Sequence, residues 1–216
     1  MFIPEGIQAV VFDFDNTLVD SIKPKVPQHR HTAKQLGIEL SDEDILSNWS
    51  IHSFSGLLAK LYGAKSPLAN QLIIEQYDQF PKEIYQDTIA TLRALGQSGL
   101  HLALMTSLRE DRIEKDFEAT GIDPLLFEYI QTEKDTSVHK PNSAVFDPTK
   151  KWLHLIGIHN PENALYIGDA LEDMQAATAA GLSFVGIDRG FVTRERFENA
   201  GALCISSLAE LVLHEQ

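Results

Sequence analysis

Five short apolar runs recur along the chain, IQAVVFDFD, LHLALMTS, ALYIGD, SFVGID and ALCISS, each bounded by polar or glycine punctuation. Runs of this length without alternation suit strands covered on both faces, the pattern of a parallel sheet. Helical patterns lie between them. DTIATLRALGQSG precedes the second run, REDRIEKDFEATG follows it, FDPTKKWLHLIG precedes the third, and EDMQAATAAG joins the third to the fourth. Strand alternating with helix predicts an α/β core, a Rossmann-like doubly wound parallel sheet with short right-handed crossovers.

The interval between the first and second runs breaks this rhythm. From about Val19 to Asp87 no strand pattern stands out, and the segments HRHTAKQLG, SDEDILSNW, FSGLLAKLYG and NQLIIEQYDQF read as helices with Gly or Ser/Asp/Asn signals at their ends. One crossover does not need so much chain. The reading is an all-helical domain spanning 19–87, inserted into a catalytic core of 1–18 and 88–216, with hinges near Val19–Pro27 and Phe80–Asp87. Helices packed directly on the sheet are the alternative.

Composition narrows the function classes. A chain of 216 residues with 44% hydrophobic content has enough apolar material for a sizeable core. The formal net charge of −13 argues against a partner such as nucleic acid or an anionic membrane, which gains affinity from positive protein surface. The single cysteine, Cys204, excludes an intrachain disulfide and reads as a small core hydrophobe. The start, MFIPEGIQAVVF, lacks a basic region ahead of its apolar residues, and no run approaches a membrane span, so the expected setting is cytoplasmic.

Chemistry-bearing residues gather where the predicted strands end, the place where open α/β sheets bind ligands. Asp13 and Asp15 stand two apart and share one side of an extended chain. At ~4 Å in an effective dielectric near 20 their repulsion is about 4 kcal/mol, which a cation or a shared proton removes. Thr106 and Ser107 follow LHLALM, Lys140-Pro141 follows DTSVH, and Asp169 and Asp173 close ALYIG within GDALEDM. Each cluster has an ordinary structural explanation. Asp15-Asn16 suits a turn, Ser107 with Glu110 and Asp169 with Glu172 suit capping boxes, and Lys140 or its rival Lys134 suits a solvated surface charge. Independent caps do not predict acid pair, hydroxyl, lysine and second acid pair in that order. Carboxylates around Mg²⁺ with one lysine suit the handling of a phosphate dianion.

These residues resemble the four motifs of the haloacid dehalogenase superfamily. Asp13-Phe-Asp15-Asn-Thr17 is similar to the first motif, Thr106-Ser107 to the second, Lys140-Pro141 to the third, and Gly168-Asp169 through Asp173 to the fourth. The insert resembles the helical C1-type cap of the phosphoglycolate phosphatase-like subgroup, and GIDRGFVTRERFENAGA also resembles that subgroup. Asn16 stands where the family often has Gly, and its tolerance of unusual backbone angles suits the same turn.

The resemblance implies an Mg²⁺-dependent phosphatase acting on a small phosphorylated metabolite, phosphoglycolate-like or a sugar phosphate. It implies Asp13 as nucleophile, Asp15 as acid and base, and Lys140 as charge partner. Thr106 and Ser107 would seat the phosphoryl oxygens, and Asp13, Asp15 (through its carbonyl), Asp169 and Asp173 would hold Mg²⁺. In the subgroup a cap loop contacts substrate; here that segment is Asn48 to Phe54, with Asn48 and His52 as candidate contacts. His29, Arg30, His31 and Arg109 are further candidates for positive charge near the cleft. A sugar phosphomutase shares every core residue. A dehalogenase lacks the second aspartate, and a phosphonate-cleaving enzyme needs a cap lysine, for which Lys23, Lys25 and Lys34 are available. A phospho-accepting signalling module has a different motif order. The expected assembly is a monomer or a homodimer.

Overall fold

The apolar runs form strands because both faces of the sheet are covered. Alternate residues of one strand serve opposite cores. Val10 and Phe12 pack with Leu102, Leu104, Leu165 and Ile167 on one face, while Ala9 and Val11 pack with Ala103, Met105, Ala164 and Tyr166 on the other. The computed structural model describes residues 3–48 and 54–212.

In chain order the first elements are β1 (Ala9–Asp13), β2 (Val19–Asp20), α1 (Ile22–Gln35), α2 (Asp42–Ser47), α3 (Phe54–Tyr62), α4 (Ser66–Glu75) and β3 (Glu83–Ile84). Then come α5 (Thr88–Gln97), β4 (His101–Met105), α6 (Glu110–Thr120), β5 (Tyr129–Gln131), α7 (Asp147–Leu155) and β6 (Ala164–Gly168). The chain continues with α8 (Leu171–Ala179), β7 (Ser183–Ile187), α9 (Arg194–Asn199) and β8 (Leu203–Ile205). Six strands make one parallel sheet in the order β5-β4-β1-β6-β7-β8. The order reverses beside β1, so the crevice at the carboxyl ends of β1 and β6 is the topological switch point.

Six strands replace the five expected. The extra one, β5, lies at the sheet edge, is three residues long and is only partly buried, so its sequence, YIQ, carries no apolar run. The pairing of β2 with β3 was also missed, because two residues leave no periodicity to read.

The chain divides into two compact units, Met1–Val19 with Ile84–Gln216, and Asp20–Glu83. The return boundary therefore falls earlier than the expected 87/88. Tyr85 donates its amide, and Thr88 its hydroxyl, to the carbonyl of Leu18 at 3.3 and 2.7 Å, which ties this segment to the sheet unit. The smaller unit is helical, with a core of Ala33, Ile45, Leu57, Leu58, Leu61, Tyr62, Ala69 and Ile73. Its first helix begins at Ile22, well before the expected His29. Pro24 lies in the first turn, where its missing N–H has no intrahelical partner to lose; Pro27 forfeits one bond inside the helix, which continues through it.

Candidate active site

Asp13 ends β1. Its register partner on β4 is Met105, and Phe12 beside it pairs with Ile167 on β6. Thr106 therefore follows on one flank, and Gly168 and Asp169 on the other. The turn after Asp13 closes on the carbonyl of Phe14, which accepts from the amides of Leu18 at 3.0 Å, Val19 at 3.3 Å and Thr17 at 3.4 Å. Asn16 takes φ 55 within it, the left-handed conformation expected of Asn in a glycine's place.

Lys140 reaches this point from the loop before α7, through a cis peptide to Pro141. Its Nζ lies 2.6 Å from Asp13 Oδ1 and 2.6 Å from Asp173 Oδ1, with the three side chains 14%, 11% and 3% exposed. The Tyr166 hydroxyl stands 3.4 Å from the same Asp13 oxygen and 3.5 Å from the same Asp173 oxygen, and the ammonium sits 5.3 Å from the tyrosine ring centre. Asp173 Oδ2 accepts the amide of Ala170 at 3.0 Å. Gly168 is required here, because a Cβ would stand 2.5 Å from Asp173 Oδ2.

One oxygen from each of Asp13, Asp169 and Asp173 lies within 4.8 Å of the others. Three acids thus face one lysine. Burial pushes the Asp13 carboxyl up to about 7, with Lys140 opposing the rise and Asp173 and Asp15 adding to it. Burial and the charges of Asp173 and Asp13 also hold Asp169 well above the ordinary carboxylate range. Lys140 moves the other way from a typical buried amine: burial would lower it, but Asp13 and Asp173 hold it well above its usual value. With all three acids ionised the excess over Lys140 is two negative charges, and the donors are all hard oxygens. That donor set fits a divalent metal ion, which removes the conflict that burial creates.

The two capping boxes weighed as ordinary explanations do not form. The helix after β4 begins at Glu110 with Arg109 as N-cap, so Ser107 caps nothing; it is exposed, while buried Thr106 accepts the Leu108 amide at 3.1 Å. The helix after β6 has Ala170 as N-cap, and its N3 carboxylate is Asp173, not Glu172, which leaves Asp169 outside the helix. Residues with cap-like spacing are thereby left for other chemistry.

Residues 10–187 match the model of the haloacid dehalogenase-like hydrolase family. The chain belongs to this family. Pyrophosphatase PpaX of Bacillus pumilus is 27% identical over 189 residues, covering 84% of this chain and 83% of that protein. Phosphoglycolate phosphatase of Colwellia psychrerythraea is 25% identical over 221 residues, covering 95% and 96%. A crystal structure described as a haloacid dehalogenase-like hydrolase of Bacteroides fragilis superposes with a TM-score of 0.80 at 25% identity, covering 95% of this chain and 99% of that one.

In this haloacid dehalogenase-like hydrolase the sheet unit brings Asp13, Lys140, Asp169 and Asp173 together, with Asp15 close enough for its charge to act on Asp13. The expected rival, Lys134, is exposed and paired with Glu110. Arg109, 71% exposed, bonds Asp111 at 2.9 Å. In the helical unit Asn48 donates to the Asp44 carbonyl at 2.7 Å, finishing α2, and His52 lies outside the described residues. His29 supplies no positive charge: it is fully buried, its Nδ1 lies 2.9 Å from the Tyr62 hydroxyl, and burial then Lys25 lower it to about 4. Arg30 pairs with Asp42 at 3.1 Å, and His31 is exposed beside Gln35. Lys23 pairs with Glu83 at 2.6 Å, and Lys25 bonds Gln28 at 3.0 Å, so both take ordinary local roles. Cys204 is buried, as expected of a core residue, and burial pushes its thiol up to about 11. Among the described residues no helix is long and apolar enough to cross a membrane.

Tyr166 was not anticipated, since a tyrosine within ALYIG reads as core. A strand residue three positions before the fourth-motif Asp169 faces the same core as Ala9 and Val11, and its hydroxyl then reaches the acids. Gln131 was also missed. Its side chain donates to the Val145 carbonyl at 2.7 Å and accepts from Thr149 Oγ1 at 2.6 Å, while its carbonyl accepts the Thr106 amide at 3.0 Å. It ties the flank carrying Thr106 to the segment that follows Lys140.

Proposed function

We propose that this hydrolase removes the phosphoryl group of a small phosphate monoester through a covalent phosphate on Asp13. The observation that carries the reading is the surplus of carboxylate over ammonium around Asp13, at the switch point of the sheet. The resident ion we assign is Mg²⁺, which Asp13, Asp169 and Asp173 would hold together with the Asp15 carbonyl. When bound it supplies charge neutralisation between the acids and an incoming dianion.

The chemistry then follows from the chain's own groups. A carboxylate oxygen of Asp13 bonds to phosphorus as the bond from phosphorus to the leaving oxygen breaks, and Asp15 delivers a proton to that oxygen. A water next attacks the phosphorus of the covalent intermediate and gives its proton to Asp15; inorganic phosphate departs and Asp13 is regenerated. Lys140, fixed on Asp13 Oδ1, keeps that oxygen oriented and offsets negative charge as it moves between ester and carboxylate. Thr106 and Ser107 seat the phosphoryl oxygens. Of the alternatives, dehalogenation leaves Asp15 without a task, and a mutase uses the same first step with a different acceptor.

Similarity to PpaX supports a second substrate, inorganic pyrophosphate, which offers the same phosphoryl group on a phosphate leaving group. The discriminating experiment is phosphate release from a panel of metabolite phosphates and pyrophosphate, with Mg²⁺ and with EDTA. The expected result is Mg²⁺-dependent release from at least one monoester. Release that ignores EDTA overturns the metal assignment, and release from pyrophosphate alone overturns the monoester.

A further inference from the structure

Arg189 follows β7 in the GIDRGF segment that the catalytic reading leaves unused. Its guanidinium grips Asp87 with two bonds, Nη1 to Oδ2 at 3.1 Å and Nη2 to Oδ1 at 2.9 Å, and the side chains are 9% and 14% exposed. Nη2 also donates to the Thr17 carbonyl at 3.1 Å, and the cation stacks 3.9 Å from the Tyr85 ring centre. Asp87 stands at the N-cap of α5, yet its side chain makes no cap bond; it accepts instead from Ser207 Oγ and the Leu208 amide, each at 2.8 Å. An aspartate diverted from the bond its position favours marks a purpose other than starting a helix.

The feature being held is the turn after the nucleophile. Its amides converge on Phe14, and two of its carbonyls are taken by residues far along the chain: Thr17 O by Arg189, and Leu18 O by Thr88 Oγ1 at 2.7 Å and Tyr85 N at 3.3 Å. Asp15 lies two residues from Thr17, joined through Asn16 in its left-handed conformation. A cation anchored on Asp87 and bonded to Thr17 O thus fixes the backbone from which Asp15 projects. Displacements of about 1 Å are enough to cost a large part of a positioned group's effect.

We propose that Arg189, anchored by Asp87, is a positioning residue that sets Asp15 for proton delivery to the leaving group. This rests on the reading of Asp15 as the acid. It predicts a loss that depends on the leaving group. An alkyl phosphate needs a proton as its bond breaks, whereas 2,4-dinitrophenyl phosphate releases a stable anion without one. The quantity to compare is kcat/KM, which covers steps up to phosphoryl transfer onto Asp13 and excludes hydrolysis of the intermediate.

The test measures kcat/KM for both esters in wild type, Asp15→Asn, Arg189→Ala and Arg189→Lys, with added guanidinium in the Arg189→Ala assays. Arg189→Ala is expected to lose roughly 10²-fold on the alkyl ester and under about tenfold on the aryl ester, the same split as Asp15→Asn. Arg189→Lys, which keeps the charge and helps the chain fold, shows the split at smaller size, and guanidinium partly restores the alkyl reaction. Equal losses on both esters, or wild-type rates on both, overturn the proposal while leaving the phosphatase reading in place. A wild-type protein that releases phosphate from neither ester nor any other monoester of the panel overturns the phosphatase reading, and this inference with it.

Discussion

The sheet unit buries two cations against carboxylates, and the two sites are built to different ends. Arg189 meets one acid, Asp87, with matched forks, and the Ser207 hydroxyl and Leu208 amide also donate to that carboxylate. Burial would raise Asp87, but the bonds from Arg189 and Ser207 hold it below the usual range. Lys140 is shared between Asp13 and Asp173, with Asp169 adjoining, and there burial prevails and drives Asp13 up to about 7. One site is electrically complete. The other needs a further positive charge, which a divalent metal ion would supply.

The largest expected effect breaks the complete site. Arg189→Ala leaves Asp87 buried and ionised, and should destabilise the protein by roughly 3–5 kcal/mol in denaturant titration at pH 7. Because the folded pKa of Asp87 is depressed, its contribution is present above the unfolded carboxylate value and is lost as pH falls through the lower folded value. The variant's deficit should therefore shrink below about pH 4. A deficit that stays constant down to acid pH contradicts the ion pair as its source.

A buried histidine extends the comparison into the helical unit. His29 resolves its burial by giving up charge, with a pKa lowered to about 4. Unfolded imidazole binds a proton from about pH 6.5 downward while the folded form does not, so stability is lost as pH falls from 6.5 towards 4. The loss is on the order of 3 kcal/mol. His29→Gln should remove that part of the pH dependence; unfolding curves that keep it assign the effect to other groups.

The smallest effect sharpens the contrast. In EDTA at pH 7, Asp169→Asn relieves repulsion and should raise stability by about 1 kcal/mol, the opposite sign to Arg189→Ala. Mg²⁺ should stabilise wild type by roughly 2.7 kcal/mol at about a hundredfold excess over Kd, and Asp169→Asn much less. Thermal melts with and without the ion read both. Destabilisation of Asp169→Asn in EDTA would show that the acids are already balanced.

The sequence made the incomplete site far easier to read than the complete one. Asp13, Lys140, Asp169 and Asp173 were legible through their order along the chain: each has an ordinary explanation alone, but separate turns, caps and surface charges do not predict acid pair, hydroxyl, lysine and second acid pair in sequence. The core strands were legible because AVVF, LAL and LYI have no polar face. Asp87 and Arg189 were not, since an aspartate before a helix reads as a cap and an arginine in a loop reads as solvated, and their pairing spans 102 positions. The edge strand Tyr129–Gln131 and the proline-bearing start of α1 were lost because local pattern weakens where tertiary contacts decide the structure. The capping boxes that spacing offered at Ser107 and Asp169 miss the true helix starts, at Arg109 and Ala170, by one or two residues, a distance that spacing alone does not resolve.

Asp13 itself tests the account most directly. Asp13→Asn keeps the shape, removes a charge from the crowded cluster and removes the nucleophile. With Mg²⁺ and a monoester that wild type cleaves, phosphate release by the folded variant should fall roughly 10³-fold or more, with no phosphate incorporated into the protein. A folded Asp13→Asn protein turning over at the wild-type rate would contradict the account.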